Sequence, residues 1–193
     1  DAVRAAVEMQ KELHCYNEEQ DLTGAPRINV GIGINTGRMM LGTLGEADRM
    51  EGSVISDAVN LASRLEGLTK RYASKVIISE QTYWHLDKGK FDCRFIDSVV
   101  VKGKDRPVRI FEVIDGEPPE VARLKRATLE KFNEAVSLYK GQKFAEARDL
   151  FKAILSESEH DNVAKLYVER CETLLEGGWN PETWDGVERL ETK

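Results

Sequence analysis

The sequence has few cysteines and no long apolar run. Its three cysteines, Cys15, Cys93 and Cys171, are odd in number, far apart, and form no C-x-x-C pair. This spacing argues against a disulfide framework or a zinc site and favours reduced thiols in a cytosolic environment. No stretch reaches the about 18 apolar residues that a membrane-spanning helix needs. The sequence therefore predicts a cytoplasmic region without a membrane segment.

The sequence also lacks an excess of basic residues. It has 28 Lys and Arg against 34 Asp and Glu, for a net charge of −6 in 193 residues. A protein that binds nucleic acid needs a basic face, and none is evident, so we predict no nucleic-acid partner. The chain starts at Asp1, without a methionine or a signal-peptide pattern, which we interpret as the boundary of a fragment.

Residues 1–115 combine helical and strand patterns. Five apolar residues at 4, 3, 4, 3 spacing predict a helix over residues 2–16: Ala2, Ala6, Met9, Leu13 and Tyr16. After a polar break at 21–26, alternating apolar residues predict a strand over 28–34, a turn, and a returning strand over 38–44. A charged loop over 45–52 then leads to a second helix, which Ser56 or Asp57 could cap.

The rest of the chain divides into a mixed part and a helical part. Strand patterns at 76–79, 91–101 and 108–113, with a short helix near Glu80, complete an α+β or split βαβ architecture. We place a linker at 116–122, a helical segment at 123–176, and a tail at 177–193 that lies as a loop over the helices. Within the helical part, helices are predicted over 120–140, 142–156 and 162–175.

Two glycines in the first strand are better explained by packing than by dinucleotide binding. Gly31, Gly33 and Gly37 are spaced G-x-G-x-x-x-G and precede a turn between strands. A dinucleotide site needs G-x-G-x-x-G at the start of a helix, so we reject one here. Small residues at 31 and 33 instead predict that another element passes close to the strand.

The second helix carries a polar pair that could bind an anion. Asn60 and Arg64 are four residues apart and therefore share a face, about 100° from the buried stripe of Leu61 and Leu65. An Arg guanidinium and an Asn amide on one rigid element could grip a phosphate. Pairs at this spacing are also common on solvated helix faces, so the spacing alone leaves both interpretations open.

Three stretches of residues 1–115 resemble the C-terminal part of a class III adenylate/guanylate cyclase catalytic domain. They are RINVGIGINTGRMMLGTLG, RMEGSVISDAVNLASRLEGLTK and VVVKGKDRPVRIFEV. The most specific element is V-I-x-D-x-V-N-x-A-x-R, which runs from Val54 to Arg64. The resemblance implies an incomplete ferredoxin-like domain that works as a homodimer. It also implies a lyase that converts ATP, more readily than GTP, to 3′,5′-cyclic AMP and pyrophosphate.

The resemblance implies roles for four residues. Asn60 would orient the ribose, and Arg64 would stabilise charge that develops on the α-phosphate. Lys102, in V-K-G-K, would hold the terminal phosphates, and Ser53 would help to select the purine. A lone lysine in a turn or a serine in a loop often has no ligand, so those two assignments rest on the resemblance. We assign Asp57 to helix capping and give His14, His85 and His160 no role.

The chain departs from the family pattern in two ways. Ser56 stands where the family usually has glycine. The two aspartates that hold Mg²⁺ or Mn²⁺ in relatives, and a purine-reading lysine, match no residue from Asp1 onward. We therefore predict no metal ligands in this chain and no activity of the chain alone. The loss of a central strand would leave exposed sheet edges.

The C-terminal helices resemble a tetratricopeptide-repeat hairpin. The resemblance rests on six residues: Ala135, Leu138, Gly141, Phe144, Ala147 and Phe151. One repeat is too short for a binding solenoid, so a packing appendage that supports a dimer is favoured. The ending WNPETWDGVERLETK resembles the tail of membrane-anchored bacterial cyclases with a CHASE-type sensor, which would place this domain on the cytoplasmic side.

Two other functions stay open at this point. One is a degenerate cyclase domain that binds nucleotide, or pairs with a partner, without turnover. The other is a protein-interaction scaffold in which residues 120–175 form the binding surface. An apolar groove on the helices would favour the scaffold, and metal-binding aspartates upstream would favour the enzyme.

Overall fold

The chain is mixed α+β, as predicted. In a computed structural model, the structure describes residues 1–44, 51–87, 89–101, 106–177 and 179–190, and the side chains of these except 40–44 and 51–55. The first elements are α1 (Ala2–Thr23), β1 (Ile32–Ile34), β2 (Met40–Leu44), β3 (Glu51–Ile55), α2 (Asp57–Tyr72), β4 (Val76–Ser79) and α3 (Glu80–Trp84). Then follow β5 (Cys93–Val100), β6 (Val108–Val113), a 3-10 turn (Ile114–Gly116), α4 (Pro119–Ala127), α5 (Leu129–Lys140), α6 (Phe144–Glu157), α7 (Asn162–Glu176) and β7 (Glu188–Arg189).

Five of the described strands form one sheet in the order β1-β4-β6-β5-β7. Strand β1 runs parallel to β4, β6 runs antiparallel to β4 and β5, and β7 runs parallel to β5. The ferredoxin-like arrangement stays a prediction. The expected return of the chain from β1 is wrong, because β2 pairs antiparallel with β3 in a separate hairpin. Residues 51 and 52, expected in a charged loop, already belong to β3, and 45–50 lie outside the described residues.

Helix α1 is longer than predicted and is buried on a different stripe. It ends at Gly24, whose φ of 73° is left-handed and suits glycine. Met9 and Tyr16, predicted to be buried, are 58% and 44% exposed. Polar Gln10 and Asn17 are buried instead, because their amides bond to the backbone before β1. Gln10 Nε2 donates to Val30 O (2.7 Å), and Asn17 Nδ2 donates to Ile28 O (2.8 Å).

The two faces of the sheet are covered by different helices. Helix α1 packs on one face through Val3, Ala6 and Val7, against Val76 and Phe111. Helix α2 and the helical segment pack on the other face and share one apolar core. Its fully buried members include Leu65, Tyr72, Ile77, Ile96, Ile110, Phe132, Phe151 and Tyr167. The helical segment therefore packs directly on the sheet that carries α2.

The prediction of one helix over 120–140 is wrong, because the chain forms two helices there, α4 and α5, separated at Thr128. The Thr128 hydroxyl donates to Leu124 O (3.0 Å), a local bond that competes with the helical ladder. The other two predicted helices are confirmed as α6 and α7. The tetratricopeptide resemblance stays a prediction.

Residues 116–122, placed in a linker, form the end of the 3-10 turn and the start of α4. Gly116 and Ala122 are buried there, and the division of the chain at this point stays a prediction.

The tail packs on the helices, as predicted, and it also adds a strand to the sheet. Trp179 and Trp184 pack edge-to-face on Phe144, with ring centroids 4.7 Å and 5.0 Å apart. The chain then joins the sheet as β7, beside Val99 and Val100 of β5. Within the described ranges, no helix is long and apolar enough to span a bilayer.

Candidate functional site

Helix α2 presents the predicted catalytic pair. Its buried face consists of Leu61, Leu65, Leu68, Thr69 and Tyr72. Ser56 is the N-cap, and its Oγ accepts a bond from Val59 N (3.2 Å). The assignment of capping to Asp57 is therefore wrong, because Asp57 lies one position later, in the first turn. Ser56 thus starts the helix with a side-chain cap.

Gly31, directly before β1, and Gly33, within β1, allow α2 to lie almost in contact with the strand. A Cβ on Gly33 would lie 2.2 Å from Glu66 N and 2.4 Å from Ala62 O, both backbone atoms of α2. A Cβ on Gly31 would lie 1.9 Å from Thr69 Oγ1. The prediction that these glycines serve close packing is confirmed. They fix the distance between the sheet and α2.

Asn35 and Gly37 hold the N-terminal turn of α2, a role the sequence analysis missed. Asn35 Nδ2 donates to Ala58 O (3.0 Å), and Ser79 Oγ donates to Asn35 Oδ1 (2.7 Å). A Cβ on Gly37 would lie 2.7 Å from Ala58 Cβ. The predicted turn after β1 therefore also anchors the start of the helix. An asparagine at the end of a strand, where amides often bond to neighbouring backbone, was the available signal.

Asn60 and Arg64 share one face of α2. Asn60 is exposed and Arg64 is half-buried. Within the described part of the chain, neither side chain has a hydrogen bond or ion pair. An amide and a guanidinium on a fixed helix are thus available together to a polar ligand, and the guanidinium suits a phosphate group.

The structure describes less of the two predicted nucleotide-binding residues, Ser53 and Lys102, than of Asn60 and Arg64. Ser53 lies in β3, where it pairs with Gly42, and β3 leads directly into the cap of α2. Its side chain is outside the described set. Lys102 lies outside the described residues altogether. The roles of all four predicted site residues therefore stay predictions.

The residues that the structure describes do not make a metal site. Among the described residues, no group of three or more His, Cys, Asp or Glu could hold a metal ion. The three histidines have local partners: His14 lies 3.4 Å from Glu18, His160 lies 3.2 Å from Glu159, and His85 Nδ1 lies 2.6 Å from Gln81 O. We derive no chemical step through a metal on this chain.

A buried ionic cluster joins the sheet to the helical segment, and the sequence analysis missed it. Arg94 of β5 pairs with Glu112 of β6 and donates to both oxygens of Asp161, the N-cap of α7, at 2.6 Å and 3.0 Å. Lys125 of α4 donates to Glu112 (2.7 Å) and to Glu117 (3.0 Å). Arg94 also stacks on the Phe132 ring. These charges are almost completely buried, so each depends on its partners.

Burial and ion pairing act in opposite directions on the charges of this cluster. Burial alone would raise the pKa of Glu112, but Arg94 and Lys125 outweigh it and lower the pKa to about 2. Burial raises the pKa of Glu117 despite Lys125. The Glu112 carboxylate is therefore ionised at neutral pH, and the cluster ties α4 and α7 to β5 and β6.

Comparison with known proteins identifies the family. The sequence model of the adenylate and guanylate cyclase catalytic domain matches residues 1–113. The chain belongs to this family, whose members are nucleotide cyclases and generally depend on divalent metal ions.

Relatives agree with this assignment. An adenylate cyclase of Anabaena cylindrica is 47% identical over 118 residues, which cover 58% of this chain and 24% of that protein. A terminal-differentiation-specific adenylate cyclase of Dictyostelium discoideum is 36% identical over 174 residues, 88% of this chain and 8% of that protein. The crystal structure of the adenylyl cyclase CyaB from P. aeruginosa matches with a TM-score of 0.50 at 35% identity, over 58% of this chain and 56% of that one. The chain thus spans only part of each relative.

The Dictyostelium match is longer than the cyclase domain. Its 174 residues exceed the 113 matched by the family model, so the similarity continues into the helical segment. That relative is therefore also similar to part of the helical segment.

Proposed function

We propose that this chain is part of an adenylate cyclase, which converts ATP to 3′,5′-cyclic AMP and pyrophosphate for intracellular signalling. The observation that carries the proposal is the pair Asn60 and Arg64 on α2. The pair lies on a helix whose N-terminus and distance from the sheet are fixed by Asn35, Gly33 and Gly37. The family relation supports cyclase chemistry, and relatives named adenylate cyclase favour ATP over GTP.

In the proposed reaction, the ribose 3′-oxygen attacks the α-phosphorus of ATP. A new P–O bond closes the ring, the bond from the α-phosphorus to the bridging oxygen breaks, pyrophosphate leaves, and the proton of the 3′-hydroxyl passes to solvent. Arg64 would donate hydrogen bonds to the α-phosphate oxygens, where negative charge increases. A preorganised donor of this kind contributes about 10²–10³ in rate.

The other residues would bind and orient the nucleotide. Asn60 would hold the ribose so that the 3′-oxygen faces the phosphorus, which lowers the entropic cost of the attack. Ser53 would contact the purine, and Lys102 would pair with the terminal phosphates.

The chain would work with a second copy and with Mg²⁺ or Mn²⁺. We propose that the metal ligands come from sequence outside this chain, so that the chain alone is inactive. We further propose a homodimer on the cytoplasmic side, in a complete protein that could be anchored to a membrane.

Of the alternatives, the helical scaffold is disfavoured by packing. Phe132, Phe151 and Tyr167 are at most 1% exposed, in the core shared with the sheet. These aromatic side chains are therefore not displayed for a peptide. A regulatory module that binds nucleotide without turnover remains the second candidate, because an available Asn60–Arg64 pair would suit binding as well as catalysis.

Product identity tests the proposal. The complete protein is incubated with ATP or GTP, with Mg²⁺ or Mn²⁺, and the products are separated by chromatography and identified by mass. We expect 3′,5′-cyclic AMP and an equal amount of pyrophosphate. Cyclic GMP alone would overturn the choice of base. A folded dimer that binds nucleotide but forms no cyclic product would refute the proposal of an enzyme and favour the regulatory module.

A further inference from the structure

The C-terminal end of α2 is held by residues from the helical segment and the tail. Tyr72, the last residue of α2, donates its hydroxyl to Asp97 Oδ2 of β5 (2.6 Å). Arg170 of α7 reaches the same oxygen (2.8 Å). Glu188 of β7 accepts from Arg71 of α2 (2.5 Å) and lies 3.3 Å from Arg170 Nη2. We call these five residues the α2 clamp.

The clamp is built of balanced charges, which are buried at Asp97, mostly buried at Arg170 and partly exposed at Arg71 and Glu188. Asp97 is 2% exposed and Tyr72 is 1% exposed. Arg71 and Arg170 balance Asp97 and Glu188, so the cluster carries no net charge. Burial, followed by Asp97, raises the pKa of Tyr72 well above its ordinary value, so the phenol remains a donor at neutral pH. Removing one charge leaves its partner incompletely compensated in a poorly solvated place.

The clamp lies on the helix that carries the proposed catalytic pair. Arg71 follows Arg64 by seven residues, or about 10 Å along the axis, and almost two full turns put both on nearly the same face. The other end of α2 is held by Asn35 at Ala58. A helix fixed at both ends keeps the residues between them in place. If the clamp loosened, a tilt of 5° about Ala58 would move Arg64 by about 0.8 Å.

We infer that Arg170 and Glu188 are positioning residues for cyclisation, because through Tyr72, Arg71 and Asp97 they fix the orientation of α2 and hence of Asn60 and Arg64. This inference rests on the proposed function. It gives the helical segment and tail a part in catalysis without contact to substrate. A misplacement of about 1 Å at a reacting centre can lower a rate by as much as about 100-fold, so a shift of this size is sufficient to matter.

The test replaces Glu188 by glutamine and compares it with a matched control. Glu188 is 30% exposed, so the variant is expected to fold. The control is Glu172→Gln, which breaks the pair of Glu172 with Lys152 (2.7 Å) on the same helical segment, between α6 and α7. Glu188→Asp retains the charge and serves as the conservative variant.

The first readout is hydrogen exchange of the α2 amides in each variant of this chain. We expect Glu188→Gln to accelerate exchange in the last two turns of α2 by about fivefold, and Glu172→Gln to leave it unchanged. Unchanged exchange in Glu188→Gln, or equal acceleration in both variants, would overturn the clamp.

The second readout is steady-state kinetics of the complete protein. We expect Glu188→Gln to lower kcat about 5- to 20-fold with KM within twofold, and Glu188→Asp to keep at least half of the wild-type kcat. Wild-type kcat in Glu188→Gln, with accelerated exchange, would overturn the positioning role. A wild-type protein that forms no product would instead refute the proposed function. The hydrogen-exchange comparison would then still test whether the clamp holds the end of α2.

Discussion

Replacing Gly33 by alanine tests how closely α2 is packed on the sheet. The new Cβ would lie 2.2 Å from Glu66 N, 2.4 Å from Ala62 O and 2.8 Å from Leu65 C. All three are backbone atoms, so no side-chain rotation relieves the clash and the helix itself must move. Overpacking typically costs 1–3 kcal/mol, and we expect about 3 kcal/mol here. This is a large share of a total stability of about 5–15 kcal/mol.

Urea unfolding followed by circular dichroism measures the effect. With an m value of about 2 kcal/mol/M, a loss of 3 kcal/mol lowers the midpoint by about 1.5 M. Gly67→Ala is the matched control, because Gly67 lies in α2 and a Cβ there meets nothing within 4 Å. We expect this control to raise stability by about 0.5–1 kcal/mol through helix propensity. Equal midpoints for the two variants would refute the close approach of β1 and α2.

Three further predictions concern the nucleotide, pH and thiol chemistry. Lys102→Ala in the complete protein should raise KM for ATP about 10-fold or more while kcat stays within threefold; an unchanged KM would remove its phosphate role. The pKa of Glu112 is lowered from 4.5 to about 2. The stability that the Glu112 carboxylate contributes is therefore complete above pH 4.5 and is lost as the pH falls toward 2. In Glu112→Gln, the urea midpoint should depend less on pH over that range. Maleimide should label the exposed Cys15 in the native chain. Burial raises the pKa of Cys93 and Cys171 to about 12 and should delay the labelling of both until the chain unfolds. Fast labelling of Cys171 in the native chain would contradict its burial.

Local patterns predicted the elements that position the site. The 3- and 4-residue spacing in α2 predicted a helix close to the one observed. The alternation predicted a strand over residues 28–34, of which only Ile32–Ile34 forms β1. Glycines at 31 and 33 correctly indicated a close approach, because a missing side chain has few other uses inside a strand. The spacing of Asn60 and Arg64 placed both on one face of the helix, because helix geometry alone determines that relation.

Contacts between distant elements could not be predicted in the same way. Arg94, Asp97 and Glu112 look like solvent-facing residues of two strands, since nothing local shows that α5–α7 cover that face. The α1 stripe was misplaced for a related reason, because Gln10 and Asn17 are buried through bonds to backbone some residues away. The pairing of β7 with β5 has almost no sequence signal, because the strand is only two residues long.

In the proposed mechanism α2 presents Arg64 to the reacting phosphate, and kcat of Arg64→Ala in the complete protein tests this role most directly. Lys70→Ala is the matched control, since Lys70 is an exposed cation on the same helix. We predict that Arg64→Ala lowers kcat about 10²–10³-fold with KM within threefold, and that Lys70→Ala stays within twofold of wild type. A kcat for Arg64→Ala equal to that of Lys70→Ala would contradict the account.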